Sequence, residues 1–239
     1  MGDEALVKNR AVNYRRGAAI TESAQGLAAY ELGQFELARK LLDHARDEYA
    51  AIGEQDGYGL QTGSLGLVAM AEGNYSEAEN LYREGLEIAK EHQTEIFAAM
   101  HNQELGTLFA MQNRWEDARP FFEKALATNL ENNDNLGILY DKTMLGHVHL
   151  KLGETARANE LADDVMAKFR VETFEEGGVL RWLWQFKGLL EALGREAESV
   201  EVLKKARELF QAVMANIHNE DLRRSFSENF PHHRALSML

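Results

Sequence analysis

The chain has 239 residues and a formal net charge of −13, from 26 Lys and Arg residues against 39 Asp and Glu residues. This acidic balance disfavours nucleic acid and anionic membrane surfaces as partners, and weakly favours a basic one. Cysteine is absent, which excludes disulfides, a thiol nucleophile and cysteine metal sites. No apolar run approaches membrane-spanning length, and the first residues lack the apolar core of a secretory signal, so we expect a cytoplasmic protein.

The first predicted element is a helix over residues 3–16, and an internal repeat follows it. A glycine recurs every 40 residues, at Gly26, Gly66, Gly106 and Gly146. A second column comes seven residues later, with Gly33, Gly73, Asn113, Gly153 and, one residue out of step, Gly194. An alanine column comes next, with Ala38, Ala78, Ala118 and Ala158. A repeat of this period is typical of a stacked helical solenoid.

Each repeat predicts two antiparallel helices joined by a tight turn. In the second repeat, Gly73 supplies the left-handed conformation that ends the first helix, and Tyr75 opens the next. Gly66 and Ala78 are small because the two helices cross closely there. In the third repeat, Pro120 lies near the start of the second helix, where we expect a mild kink.

The C-terminal part of the chain contains a fifth repeat, followed by a segment that does not match the repeat pattern. The fifth repeat drifts by one residue and is aligned on Leu193-Gly194. Beyond it, residues 220–229 predict a short helix closed by Pro231. The two flanking helices, at residues 3–16 and 220–229, are expected to cap the ends of the array.

The repeat carries a recognisable signature. In the third copy, Leu105-Gly106 and Phe109 are followed by Ala118 and Phe122. This pattern, Leu-Gly-x2-aromatic and then Ala-x3-aromatic, resembles the tetratricopeptide repeat. The copies exceed the family's usual length of about 34 residues and lack its closing proline. In length they are similar to the repeats of kinesin light chain and of many bacterial regulators. A HEAT or armadillo array matches the period of 40 residues better, but it explains neither the recurring Leu-Gly pair nor the recurring Ala-x3-aromatic pattern.

The resemblance implies an all-α fold, a right-handed superhelix of about five helix pairs. Its repeats would span residues 18–57, 58–94, 95–134, 135–173 and 174–217, between caps at 1–17 and 218–239. The tail 222–231 is similar to a segment that often follows such repeats in bacterial signalling ATPases and transcription regulators.

The resemblance also implies a ligand groove lined by the first helix of each pair. The family's inward offsets select Tyr30, Leu67, Met70, Met100, Gln103, Thr107, Met111, Tyr140, Thr143, His147, Lys151, Arg181 and Trp184. The methionines suit peptide or helix recognition, although they also suit core packing, and Trp184 lies off the core stripe of its own helix. The cationic clamp that some members use for a terminal carboxylate is absent, so we expect no chaperone-tail binding.

No pattern in the sequence indicates catalysis, a metal or a cofactor. The glycine-rich stretch 57–63 lacks the Gly-Lys-Ser/Thr of a phosphate loop. His147 and His149 would point about 200° apart on a helix, so they cannot share a metal ion. We therefore expect a non-enzymatic scaffold that binds a protein or peptide, with the acidic net charge favouring basic flanks. The alternative is a sensory module of a larger signalling protein that binds a small molecule or signalling peptide. Both alternatives are compatible with a monomer or with weak self-association through the solenoid ends.

Overall fold

The computed structural model describes residues 2–171 and 179–238, with side chains from residue 11 onward. These residues form helices and turns without a strand, which confirms the all-α class. The helices are α1 (Gly2–Glu31), α2 (Phe35–Ile52), α3 (Gln55–Ala71), α4 (Tyr75–Glu91), α5 (Glu95–Met111), α6 (Trp115–Asn132), α7 (Asn135–Lys151), α8 (Thr155–Phe169), α9 (Leu180–Ala192), α10 (Glu196–Asn216), α11 (Glu220–Asn229) and α12 (Pro231–Ser237).

The helices pack consecutively in two compact units, Met1–Glu104 and Leu105–Leu239, and α5 runs through the boundary between them. In the first unit, α1 packs on α2, α2 on α3, and α3 on α4. In the second, α7 packs on α6, α8 and α9, and α9 on α10. The short α11 and α12 pack on each other, and α12 also contacts α9 and α10.

The turn column predicted from the sequence is confirmed. Gly73 has a φ of 81° and Asn113 a φ of 60°, and Gly33, Gly153 and Gly194 are also left-handed. Glycine and asparagine adopt this conformation at the lowest steric cost. A second left-handed column ends the second helix of the first three repeats, at Gly53, Gln93 and Asn133. This second column was not predicted, although its residues also recur every 40 positions in the sequence.

The close helix crossings depend on the first glycine column. A Cβ added at Gly66 would lie 2.6 Å from the Tyr82 ring across the α3–α4 contact. Gly26 and Gly106 meet the second helix of their own pair in the same way. The fourth repeat differs, because Gly146 faces Leu189 of α9, at 2.5 Å, rather than α8. The glycine there allows two first helices of successive pairs to approach each other.

Two element boundaries differ from the sequence prediction, whereas α6 contains Pro120 near its start, where the sequence placed it. Helix α1 is continuous from Gly2 to Glu31, so the predicted cap and the first repeat helix are one element. Pro231 does not only close α11: it occupies the first turn of a further helix, α12, where its missing N–H costs nothing. The predicted boundary between residues 173 and 174 lies outside the described residues.

Helix pairing accounts for the burial of the aromatic residues. Among the largest fully enclosed side chains are those of Tyr82, Phe122, Trp182 and Phe186.

None of the described helices is both long enough and apolar enough to cross a membrane.

Candidate functional site

In the second unit, one chain of contacts links α5, α7 and α9. The hydroxyl groups of Thr107 on α5 and Tyr140 on α7 are 2.8 Å apart and share a hydrogen bond. On the other side of Tyr140, the guanidinium carbon of Arg181 on α9 lies 5.0 Å from the centroid of the tyrosine ring. This distance is within the range of a cation–π interaction. Three of the predicted groove residues are therefore brought together across three helices.

A second link between α7 and α9 is fully buried. The Trp182 indole N–H donates to the Thr143 hydroxyl at 3.0 Å, and that hydroxyl donates to the Leu139 carbonyl at 2.8 Å. Thr143 has an exposed fraction of 0%, so it joins the two helices and offers no surface to a ligand. The sequence predicted Thr143 as a groove residue and Trp182 as a core residue of its helix, and only the second of these two side chains is where it was expected. The position of a residue within the repeat shows on which side of the helix it lies, but not how deeply its side chain is buried.

One turn further along α7, His147 contacts the backbone of α9. Its Nε2 lies 2.9 Å from the Gln185 carbonyl oxygen, to which it donates. Burial lowers the pKa of His147, and the nearby charge of Lys151 also lowers it, while the hydrogen bond to Gln185 raises it. At neutral pH the imidazole is therefore neutral, with Nε2 protonated. Lys151 itself is exposed, and its Nζ lies 5.9 Å from the centre of the Trp115 ring.

Two larger apolar side chains lie on the helices that flank α7. Met111 follows Thr107 by one turn on α5 and has an exposed fraction of 51%. Trp184 on α9 is half-buried, and Lys187 Nζ lies 4.7 Å from its ring centroid. We call this set the α5–α7–α9 face. It consists of Thr107, Met111, Tyr140, His147, Lys151, Arg181 and Trp184.

The predicted groove residues of the first unit are more enclosed. Tyr30 is buried, with its ring 6.0 Å from that of Phe35, and Met70 is also buried. Leu67 and Gln103 are half-buried. Among these residues, Met100 presents a large exposed apolar side chain. The first unit therefore contributes less accessible apolar surface at the predicted positions than the second.

The described residues contain no group of three or more His, Asp or Glu side chains placed to hold a metal ion. His147 contacts Gln185, whereas His149 lies 2.5 Å from a Glu154 carboxylate oxygen. The glycine-rich stretch 57–63 lies inside α3, where a Cβ at Gly63 would meet the His101 ring. These glycines therefore make room for neighbouring side chains within the helix packing.

Comparison with known proteins agrees with this architecture. Residues 62–92 match the family described as tetratricopeptide repeat. No curated protein matches the chain in sequence.

Solved structures share the fold at low identity. The putative kinesin light chain of Podosopora anserina, with nearly identical TPR-like repeats, is 18% identical, with a TM-score of 0.57 over 82% of this chain and 96% of that one. The Rap conjugation gene regulator of plasmid pLS20, solved with the Phr* peptide, is 14% identical, with a TM-score of 0.64. The match covers 85% of this chain and 60% of the regulator. Aspartyl phosphate phosphatase F of Bacillus subtilis is 17% identical, with a TM-score of 0.68. The match covers 94% of this chain and 61% of the phosphatase.

Proposed function

We propose that this chain, a tetratricopeptide-like repeat protein, is a non-enzymatic scaffold that binds a peptide or helical segment on its α5–α7–α9 face. The observation that carries the proposal is the Thr107–Tyr140–Arg181 chain of contacts, which joins α5, α7 and α9. Thr107 and Tyr140 are buried, whereas Met111 on α5 is exposed and Trp184 on α9 is half-buried, so these last two side chains are the proposed anchors. A few apolar and aromatic anchors beside preorganised polar groups are the usual source of peptide affinity.

The two anchors have complementary properties. A methionine side chain is flexible and polarisable, and adapts to different apolar partners. A tryptophan buries a large area with few rotatable bonds, so less conformational entropy is lost when it binds. The links between Trp182 and Thr143, and between His147 and Gln185, support the face by joining α7 to α9 beneath it. The ligand would then meet a surface that needs little reordering, which favours affinity.

The partner proposed here is a protein or peptide rather than nucleic acid or a membrane. The Rap regulator that shares the fold was solved with a peptide, which supports a peptide ligand. The net charge of −13 favours basic residues in the parts of the ligand that lie beyond the face itself. A cytoplasmic location is part of the same proposal, and the cysteine-free composition is compatible with it.

The test compares the wild type with three variants in affinity capture from a cell lysate, read by mass spectrometry. Met111→Glu places a charge on the face, and Trp184→Ala removes the larger anchor. Leu130→Glu is the matched control, because Leu130 lies on α6 with an exposed fraction of 52% against 51% for Met111. Tyr140 is left intact, because it is buried and bonds to Thr107.

We expect captured proteins that are lost with Met111→Glu and Trp184→Ala but retained with Leu130→Glu. Circular dichroism of all three variants would show whether they remain folded. Capture that is unchanged in both face variants would refute the proposed position of the site.

The second candidate is a sensory module whose ligand alters another domain. The regulator and the phosphatase among the structures that share the fold favour it. A nucleotide-binding or DNA-binding domain in the same native protein would support this reading. A native protein without such a domain would favour the scaffold.

A further inference from the structure

The two short C-terminal helices are held by a small set of contacts. A non-helical connection, residues 217–219, joins α10 to α11. The Asn219 side chain caps α11 by accepting from the backbone N–H groups of Asp221 and Leu222. With 10 and 7 residues, α11 and α12 are too short to be stable as isolated helices in water. They therefore depend on packing against the rest of the chain.

That packing rests on three buried side chains, Phe226, His233 and Leu236. The Phe226 ring is stacked on Phe210 of α10 at 5.6 Å, and the His233 ring lies 4.2 Å from Phe226. Next to these anchors, a groove of about 440 Å³ remains open between α10 and the two short helices. His233 is thus one of few anchors in a loosely filled interface.

The interface also contains a second histidine. The rings of His232 and His233 are 4.4 Å apart, and His233 Nδ1 donates to the Phe226 carbonyl at 2.8 Å. Burial lowers the pKa of His232 to about 3, assisted by His233 and Arg181, and burial lowers that of His233 to about 4. At neutral pH both rings are therefore uncharged and compatible with an aromatic environment.

Three arginines on the neighbouring helices lie near α12. Arg181 on α9 acts on His232 and lowers its pKa. Arg207 on α10 and Arg223 on α11 line the groove beside Leu236. A proton on His232 would therefore add positive charge beside Arg181, and a proton on the buried His233 would lose its hydration. This free-energy cost of protonation applies only to the docked state, because a detached histidine is hydrated.

We propose that α11 and α12 form an acid-released latch. Protonation of His232 and His233 detaches both helices from α9 and α10 while the repeats stay folded. Release exposes Phe210 and separates His232 from Arg181, which belongs to the α5–α7–α9 face. The latch itself does not depend on whether that face binds a peptide.

The size of the effect follows from linkage. A histidine with a pKa of 6.5 when detached and about 4 when docked favours the docked state above pH 6.5 and loses that preference as pH falls. For His233 alone, the ratio of detached to docked chains rises about 20-fold between pH 7 and pH 5. His232 increases the ratio further, and the two titrate as a coupled pair.

Hydrogen–deuterium exchange of the full chain, read by mass spectrometry, tests the latch. Protection of residues 220–237 is compared with that of α10 at pH 7 and pH 5, after correction for intrinsic exchange rates. We expect protection of residues 220–237 to fall about 20-fold or more, with α10 unchanged. Constant protection of residues 220–237 would overturn the proposal, as would an equal loss in α10.

Two variants assign the effect to the histidines. His232→Phe combined with His233→Asn removes both titrating rings, and the asparagine amide can still donate to the Phe226 carbonyl. We expect its protection to be independent of pH. His218→Asn is the matched control, because His218 is exposed in the connection before α11, and it should behave like the wild type. Should the double variant be detached at both pH values, His232→Phe alone must show a smaller pH dependence than the wild type. A full pH dependence in the double variant, or in His232→Phe alone, counts against the latch.

Discussion

Substitution of Gly66 by alanine tests the close crossing of α3 and α4. An added Cβ would lie 2.6 Å from a ring carbon of Tyr82, whereas carbon atoms in contact are normally about 3.5–4.0 Å apart. The overlap is therefore on the order of 1 Å. Tyr82 has no exposed surface, so its ring cannot move away into solvent, and the two helices must separate.

The expected cost is the difference between two effects. Overpacking a core by one carbon costs about 1–3 kcal/mol. Replacing glycine by alanine inside a helix stabilises by up to about 1 kcal/mol. With about 2 kcal/mol for the overpacking, the middle of that range, and about 1 kcal/mol for the helix gain, Gly66→Ala should lower the free energy of unfolding by about 1 kcal/mol. Gly17→Ala is the matched control, because it lies inside α1 with no atom within 4 Å of the added Cβ. The control should be more stable than the wild type by about 0.5–1 kcal/mol.

Urea unfolding followed by circular dichroism measures both variants, and the midpoints should move in opposite directions. A Gly66→Ala variant as stable as the wild type would refute the reasoning. A double-mutant cycle with Tyr82→Ala identifies the cause. If the cost of Gly66→Ala is unchanged when the Tyr82 ring is absent, the overlap with that ring is not responsible.

Two further predictions concern buried polar groups. Burial lowers the pKa of His101 to about 4, so its contribution to stability is complete above pH 6.5 and is lost as pH falls. Compared with His101→Gln, the wild type should lose about 2 kcal/mol more unfolding free energy between pH 7 and pH 5, measured by urea unfolding at each pH. Thr143→Val leaves the buried Trp182 indole N–H without its acceptor and should cost about 1–3 kcal/mol in the same assay at pH 7. A loss below about 0.5 kcal/mol would show that this bond does not hold α7 to α9.

The local elements could be predicted because their causes are local. Gly73 and Asn113 end the first helices of their pairs by adopting a left-handed conformation, and this preference belongs to the residue itself. The same rule applied to Gly53 and Asn133 would have found the second turn column. Gln93 in that column has no such preference, and the turn geometry of its neighbours selects its conformation.

The site was less predictable, because burial depends on residues distant in the chain. Tyr140 and Arg181 are 41 positions apart in the sequence. Their positions within their repeats were sufficient to predict that they lie on the same side of the helix array, and the two side chains are in contact. That offset could not show that Thr143 is enclosed by Trp182, or that Met111 stays exposed. Because exposure depends on the volume of every neighbouring side chain, a repeat pattern cannot supply it.

The sequence by itself determined the period, the helix pairs, the turns and the acidic surface of this protein. Each of these follows from residue type and spacing, through conformational preference and helical periodicity. Only the tertiary structure decided which of the predicted groove residues are accessible, that Gly146 packs on α9, that His233 is buried, and that His232 lies near Arg181. These features arise where separate helices meet, because close packing and desolvation act on the assembled core rather than on any one segment.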